Sequence, residues 1–85
     1  MIDLYNLHRF VGVIDFSGWN LQDIDLSEAD LQGANFSNAN LRNVNFTNAN
    51  LQNVNFHNAD LTKANLKNAK TEGTDFSGTC YNTAD

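Results

Sequence analysis

The sequence predicts an all-β chain wound as a solenoid, and two observations carry the prediction. From Ile14 to Thr83 the chain divides into fourteen consecutive blocks of five residues with no insertion. A fixed internal period of this kind marks a repeat architecture. The blocks also share a composition. The third residue is Leu or Phe in twelve of the fourteen, with Thr71 and Tyr81 the exceptions. The first is mostly Ala, Val or Ile, and the second is Asp or Asn everywhere except at Lys70 and Cys80.

A period of five fits neither regular element. In an α-helix, successive third-place residues would drift by about 140° per block, so the large apolar groups would spiral around the surface. In an uninterrupted strand, an odd period would move them to the opposite face at every block. The chain must therefore turn a corner in each block, with the first and third residues inward and the polar ones outward. Gly18, Gly33, Gly73 and Gly78 stand at the corners with Asn38, Asn43, Asn48, Asn53, Asn58 and Asn68. Gly and Asn tolerate turn conformations best.

This pattern resembles the pentapeptide-repeat family, whose motif is a small apolar residue, Asn or Asp, Leu or Phe, and two polar residues. The resemblance spans residues 14–83 and implies a right-handed quadrilateral β-helix with four blocks per coil. The sequence supports that coil size by itself. Phe16, Phe36, Phe56 and Phe76 recur every 20 residues and would stack on one inner wall, with only Phe46 of the repeat's phenylalanines elsewhere. About three and a half coils result, a rod roughly 17 Å long at the strand spacing of a sheet. Small first-place residues such as Ala29, Ala34, Ala39 and Ala49 make room for their large neighbours. Trp19 breaks that rule and is placed to cover the open end of the first coil.

A short solenoid exposes interior and unpaired backbone at both ends. Residues 1–13 are expected to cap one of them. Asp3, Leu4, Leu7, Val11 and Gly12 fit a short helix with a cap, a face and a stop. An irregular extra half-coil fits as well. At the other end the motif decays through Lys70, Thr71, Thr74 and Thr79, leaving Phe76 and Tyr81 as the large inward groups before a tail at 84–85. That edge is a candidate for self-association, since members of the resembled family commonly pair end to end. The alternative is a frayed end covered by Tyr81.

Composition narrows the function. The net charge of −5 on 85 residues argues against direct nucleic-acid binding, which needs clustered Lys and Arg. The single cysteine, Cys80, requires no oxidising compartment. The first residues have neither the basic start nor the apolar run of a secretion signal. No stretch approaches the roughly 20 apolar residues of a membrane helix. The expectation is a cytoplasmic protein without membrane insertion.

Charge is unevenly spread. Asp15, Asp23, Asp25, Glu28 and Asp30 surround the first coil, Arg42 is the only charge from Leu31 to Ala59, and Lys63, Lys67 and Lys70 interrupt the acids beyond. The acidic ring reads either as a docking surface for a basic partner or as protection of an exposed end against aggregation. Asn20/Asn40, Asn35/Asn55 and Asn45/Asn65 would stack one coil apart, as amide ladders along the axis or as a flat recognition surface. His57 falls between Ser37 and Ser77 on one outer wall, with no acid, oxyanion donors or pocket to make a catalytic centre. No catalytic, metal or cofactor site is expected.

The leading expectation is a non-enzymatic module that docks a protein partner or itself. The resemblance adds an alternative, since some family members mimic DNA and bind DNA gyrase. It also points to a cyanobacterial source and to a role in assembling a larger machine.

Overall fold

The computed structural model describes residues 14–81; the expected cap at 1–13 and tail at 84–85 lie outside the described residues. The sequence period is the structural period. Each block contributes one bridge residue, its second, paired in parallel with the residue 20 positions on, from Asp15↔Asn35 through to Asp60↔Cys80. Four blocks therefore make one coil. Wall one carries the bridge residues Asp15, Asn35, Asn55 and Asp75, and wall two Asn20, Asn40, Asp60 and Cys80. Wall three carries Asp25, Asn45 and Asn65, and wall four Asp30, Asn50 and Lys70.

The backbone explains why so short a strand suffices. Buried N–H groups must find partners, and in a middle block all five do. In block 34–38, Asn35 N–H donates to the Ile14 carbonyl of the coil before at 2.8 Å. Phe36 and Asn38 donate to the Asn55 and His57 carbonyls of the coil after, at 2.7 and 2.9 Å. Ala34 N–H closes the preceding turn onto Leu31 at 2.9 Å. The fifth donor, Ser37 N–H, goes to the side-chain oxygen of Asn35 at 2.9 Å.

The corner is a four-residue turn running from a third-place carbonyl to the next first-place N–H, as in Phe36 to Ala39 at 3.1 Å. Its second inner position, the fifth place of the block, has positive φ in every described block, the mark of a type II turn. Most of these residues are Gly or Asn, as expected. Asp23, Glu28 and Lys63 hold the same conformation at φ 69°, 62° and 62°, although Glu and Lys lack the ease of Gly, Asn or Asp there. Position within the period overrides their own preference.

The interior is filled by third-place residues with first-place residues between them. Phe36, Leu41, Phe46, Leu51, Phe56 and Leu61 are completely buried, with Val44, Ala49 and Ala59 beside them. Phe16, Phe36, Phe56 and Phe76 form a column of stacked rings with centroids 5.2, 5.4 and 5.5 Å apart. Phe46 enters edge-on against Phe36 and Phe56 at 6.0 and 5.7 Å. Each such ring pair adds about 0.5–1.5 kcal/mol to the burial itself. Trp19 stands edge-on to Phe16 at 4.9 Å and stays 48% exposed, a partial cover for the first coil.

Candidate functional site

The outer walls are organised by the second-place residues in a way the ladder expectation only partly anticipates. In twelve blocks the second-place side-chain oxygen accepts the N–H of the fourth-place residue, from Asp15 and Ser17 at 2.9 Å to Asp75 and Ser77 at 2.8 Å. Among the blocks whose fourth-place residue is described, the one without this bond is that of Lys70, whose ammonium has no acceptor to offer. Amide ladders run along the axis on walls two and four. Asn40 Nδ2 donates to Asn20 Oδ1 at 3.1 Å, and Asn50 Nδ2 to Asp30 Oδ1 at 3.2 Å. Asn35/Asn55 and Asn45/Asn65 are bridge partners, and their side-chain oxygens serve their own turns.

This sorts the acidic residues. Asp15, Asp25 and Asp30 have a structural task, since each accepts the N–H of its own turn. The Ser17 backbone N–H, then its hydroxyl, holds the Asp15 carboxyl below the ordinary aspartate range, and Ser27 does the same for Asp25. Asp23 and Glu28 stand at exposed corners, and Gly or Asn would fill the Glu28 corner more easily. The five acids do not converge. They lie on walls one, three and four and on the corners between, and no described group of three acidic, His or Cys side chains is placed to hold a metal ion.

His57 does meet an acid, although not one that the sequence spacing singles out. Its Nδ1 lies 2.8 Å from Ser77 Oγ, and that hydroxyl, followed by the Ser77 N–H, holds the Asp75 carboxyl below the ordinary range. The order is carboxylate, hydroxyl, imidazole. Nucleophilic catalysis needs the imidazole in the middle, taking the hydroxyl proton while the acid orients the ring. Here the hydroxyl lies between the other two on an exposed wall, and it is not activated.

The C-terminal coil is the place where the interior opens. Leu66 and Phe76 are only partly buried, Thr71 is exposed, and Tyr81 is 43% exposed. With Ala69 and Thr79 they line a concavity of about 460 Å³. The two threonines that replace apolar first-place residues satisfy their hydroxyls within the fold. Thr74 Oγ1 donates to the Leu51 carbonyl at 2.6 Å and Thr79 Oγ1 to that of Phe76 at 2.9 Å. The side chains of the mouth are therefore mostly apolar, and the Thr79 hydroxyl at its rim is already paired. No helix among the described residues is long and apolar enough to cross a membrane.

The family model for the pentapeptide repeat region matches residues 6–76 of this chain. The chain belongs to the pentapeptide repeat family. Its fold is the right-handed quadrilateral β-helix. A pentapeptide repeat protein from the Arabidopsis thaliana thylakoid lumen matches with 35% identity and a TM-score of 0.74, over 76% of this chain and 47% of that one. A pentapeptide repeat protein from Nostoc matches with 30% identity and a TM-score of 0.53, over 89% of this chain and 70% of its own. HetL, a Nostoc protein involved in heterocyst differentiation regulation, matches in fold with a TM-score of 0.74 at 22% identity, over 86% of this chain and 33% of that one. This chain thus spans half or less of the length of two of these three relatives. No curated protein matches its sequence. Members of the family are generally not enzymes.

Proposed function

We propose that this chain is a non-enzymatic interaction module, a rigid solenoid that docks a protein surface through the open face of its last coil. One observation carries the reading. The third-place residues of the first coil, Phe16, Leu21, Leu26 and Leu31, are 6% exposed or less, whereas Phe76 and Tyr81 leave an apolar concavity facing out. Apolar surface of that shape is stabilised by covering it. Sedimentation at rising concentration, alone and with a lysate of the source organism, tests this. The expected result is self-association or one discrete complex, weakened by Tyr81→Ser. A chain that stays monomeric and retains nothing overturns it.

The acidic first coil supports a second contact. Asp23 and Glu28 are exposed at their corners, and Glu28 holds a positive φ that Gly, Asn or Asp adopts more readily, so its presence there is better explained by the surface than by the turn. We infer a basic partner for that edge. Its binding should weaken as salt rises and in Asp23→Asn with Glu28→Asn. Binding indifferent to both would sink it.

A further inference from the structure

The chemistry of the last coil narrows what it can accept. Among the described residues, the N–H groups of Thr71, Gly73, Phe76, Gly78 and Tyr81 donate to no carbonyl. Their counterparts one coil earlier, Leu51, Asn53, Phe56, Asn58 and Leu61, donate to the carbonyls of Lys70, Glu72, Asp75, Ser77 and Cys80 at 2.7–3.0 Å. The carbonyls of Ala49, Val54 and Ala59 accept the N–H groups of Lys70, Asp75 and Cys80 at 2.9–3.1 Å. Those of Ala69, Thr74 and Thr79 hold the same places at the edge. The edge is thus a row of donors and acceptors already spaced for one more parallel coil.

Side chains add a register. The outer ring face of Phe76 ends a column spaced at 5.2–5.5 Å and lines the concavity, so the next member of the column is a ring or a Leu. A bridge partner of Lys70 would lie beside an exposed ammonium, and a partner of Asp75 beside a carboxylate held ionised by Ser77. The first position suits an acid and the second an amide, the pairing seen where Asn50 donates to Asp30.

We propose that the last coil is an acceptor edge for an extended segment of a second, different polypeptide, which adds a coil in parallel register. The inference rests on the docking reading above and names its partner. The segment carries an acid over Lys70, an apolar residue next to it over Thr71, a small residue three further on, then Asn over Asp75 and Phe or Leu over Phe76. This chain contains the pattern as Asp30, Leu31, Ala34, Asn35 and Phe36. There Leu31, Ala34 and Phe36 are 1% exposed or less, so a folded second copy cannot offer it. The donor is a stretch that is unstructured until it binds, and it contributes main-chain hydrogen bonds for affinity and inward side chains for register.

The test uses the whole chain, ¹⁵N-labelled, titrated with a synthetic peptide of the sequence of residues 29–48. The peptide orders on binding, so fast exchange is expected. Saturable shifts and slowed amide exchange should centre on Thr71, Gly73, Phe76, Gly78 and Tyr81. A peptide with Phe36→Asp should not bind. Lys70→Glu in the chain, an exposed change that leaves the fold intact, should weaken binding about threefold, and Asp30→Lys in the peptide should restore it. Shifts centred on another wall, or binding indifferent to Phe36→Asp, overturn coil addition. A chain that ignores the peptide yet still forms Tyr81-dependent complexes also overturns it and leaves the docking reading standing. A chain that does neither removes both.

Discussion

The first coil, residues 14–33, and the last, residues 62–81, are written in the same five-residue pattern and end in opposite states. In the first, every third-place residue is buried and every second-place residue braces its turn. In the last, Thr71 and Tyr81 are exposed, Lys70 does not brace its turn, and among the described residues the N–H groups of Thr71, Gly73, Phe76, Gly78 and Tyr81 donate to no carbonyl. The difference does not come from the loss of the repeat, because the turns and the positive-φ corners continue through Gly78. Thr71 and Tyr81 replace the usual third-place Leu or Phe there, while Leu66 and Phe76 keep it and are still only partly buried.

The largest expected effect compares the two ends of the phenylalanine column. Phe16→Ala removes a ring that is 4% exposed and should cost about 3 kcal/mol or more. Phe76→Ala removes one packed on a single side, against Phe56, and should cost about half as much. Urea unfolding of both variants at low protein concentration checks this. Equal losses would mean that Phe76 is covered in solution, and that the two ends are not different after all.

Much of this was legible in the residues. The five-residue period, with Leu or Phe at the third place, dictates corners, walls and interior, because no regular element keeps that spacing on one side. The 20-residue recurrence of phenylalanine places the ring column. The task of the second-place Asn and Asp was not legible. A short outward amide can bond along the axis or brace its own turn, both uses call for the same residue, and only the geometry of the corner decides between them. A signal was nevertheless present. Ser or Thr often follows Phe at the fourth place, as in residues 16–17, 36–37, 46–47 and 76–77, whereas Gln follows Leu at 21–22, 31–32 and 51–52. The ladders lie on the walls with the longer fourth-place side chains. The Asp75 beside Ser77 and His57 was hidden for a different reason. It stands next to His57 only after a full coil has closed.

The corners give the next contrast. Gly33 and Gly73 share the positive φ, at 77° and 73°. A side chain added at Gly33 meets nothing, whereas at Gly73 it meets the Asn53 amide oxygen of the coil before. Gly33→Ala should cost about 1 kcal/mol from backbone strain alone, and Gly73→Ala more, about 2 kcal/mol, unless Asn53 swings away. Gly33→Asn should be close to neutral, since Asn holds this corner elsewhere. Thermal unfolding of the three variants ranks them. If Gly73→Ala behaves as Gly33→Ala does, the last coil packs more loosely than its neighbours.

A smaller effect separates blocks with and without the turn brace. Asn55→Ala strips the acceptor from His57 N–H, bonded at 2.8 Å, and should cost about 1 kcal/mol. Lys70→Ala removes no such bond and should be near neutral. Lys70→Asn offers the Glu72 N–H, now held by its own carboxyl, the acceptor that other blocks use, and should change stability by no more than a few tenths of a kcal/mol. A larger loss on Lys70→Asn would show that Glu72 depends on Lys70. The Glu72 carboxyl is held low chiefly by its own backbone N–H and by the Gln52 amide, and Lys70 contributes least.

The finest comparison uses protons. The first coil braces its turns partly with carboxylates, Asp15 and Asp25, and the middle of the rod uses amides, Asn35 and Asn45, at matching positions on the same two walls. Both carboxyls are lowered in the folded state, so the ionised form is favoured by folding. Their contribution is present above the unfolded-state value of about 3.9 and is lost as pH falls through the lowered folded-state values. An amide does not titrate. Amide exchange at Ser17 and Ser27, relative to Ser37 and Thr47 and corrected for intrinsic rates, should therefore quicken between pH 5 and pH 2. Asp15→Asn with Asp25→Asn should abolish the difference. Parallel behaviour at all four amides in the unaltered chain would mean that the carboxylates brace nothing an amide does not. In that case the acids of the first coil, like Asp23 and Glu28, would be explained by what they face outside the chain.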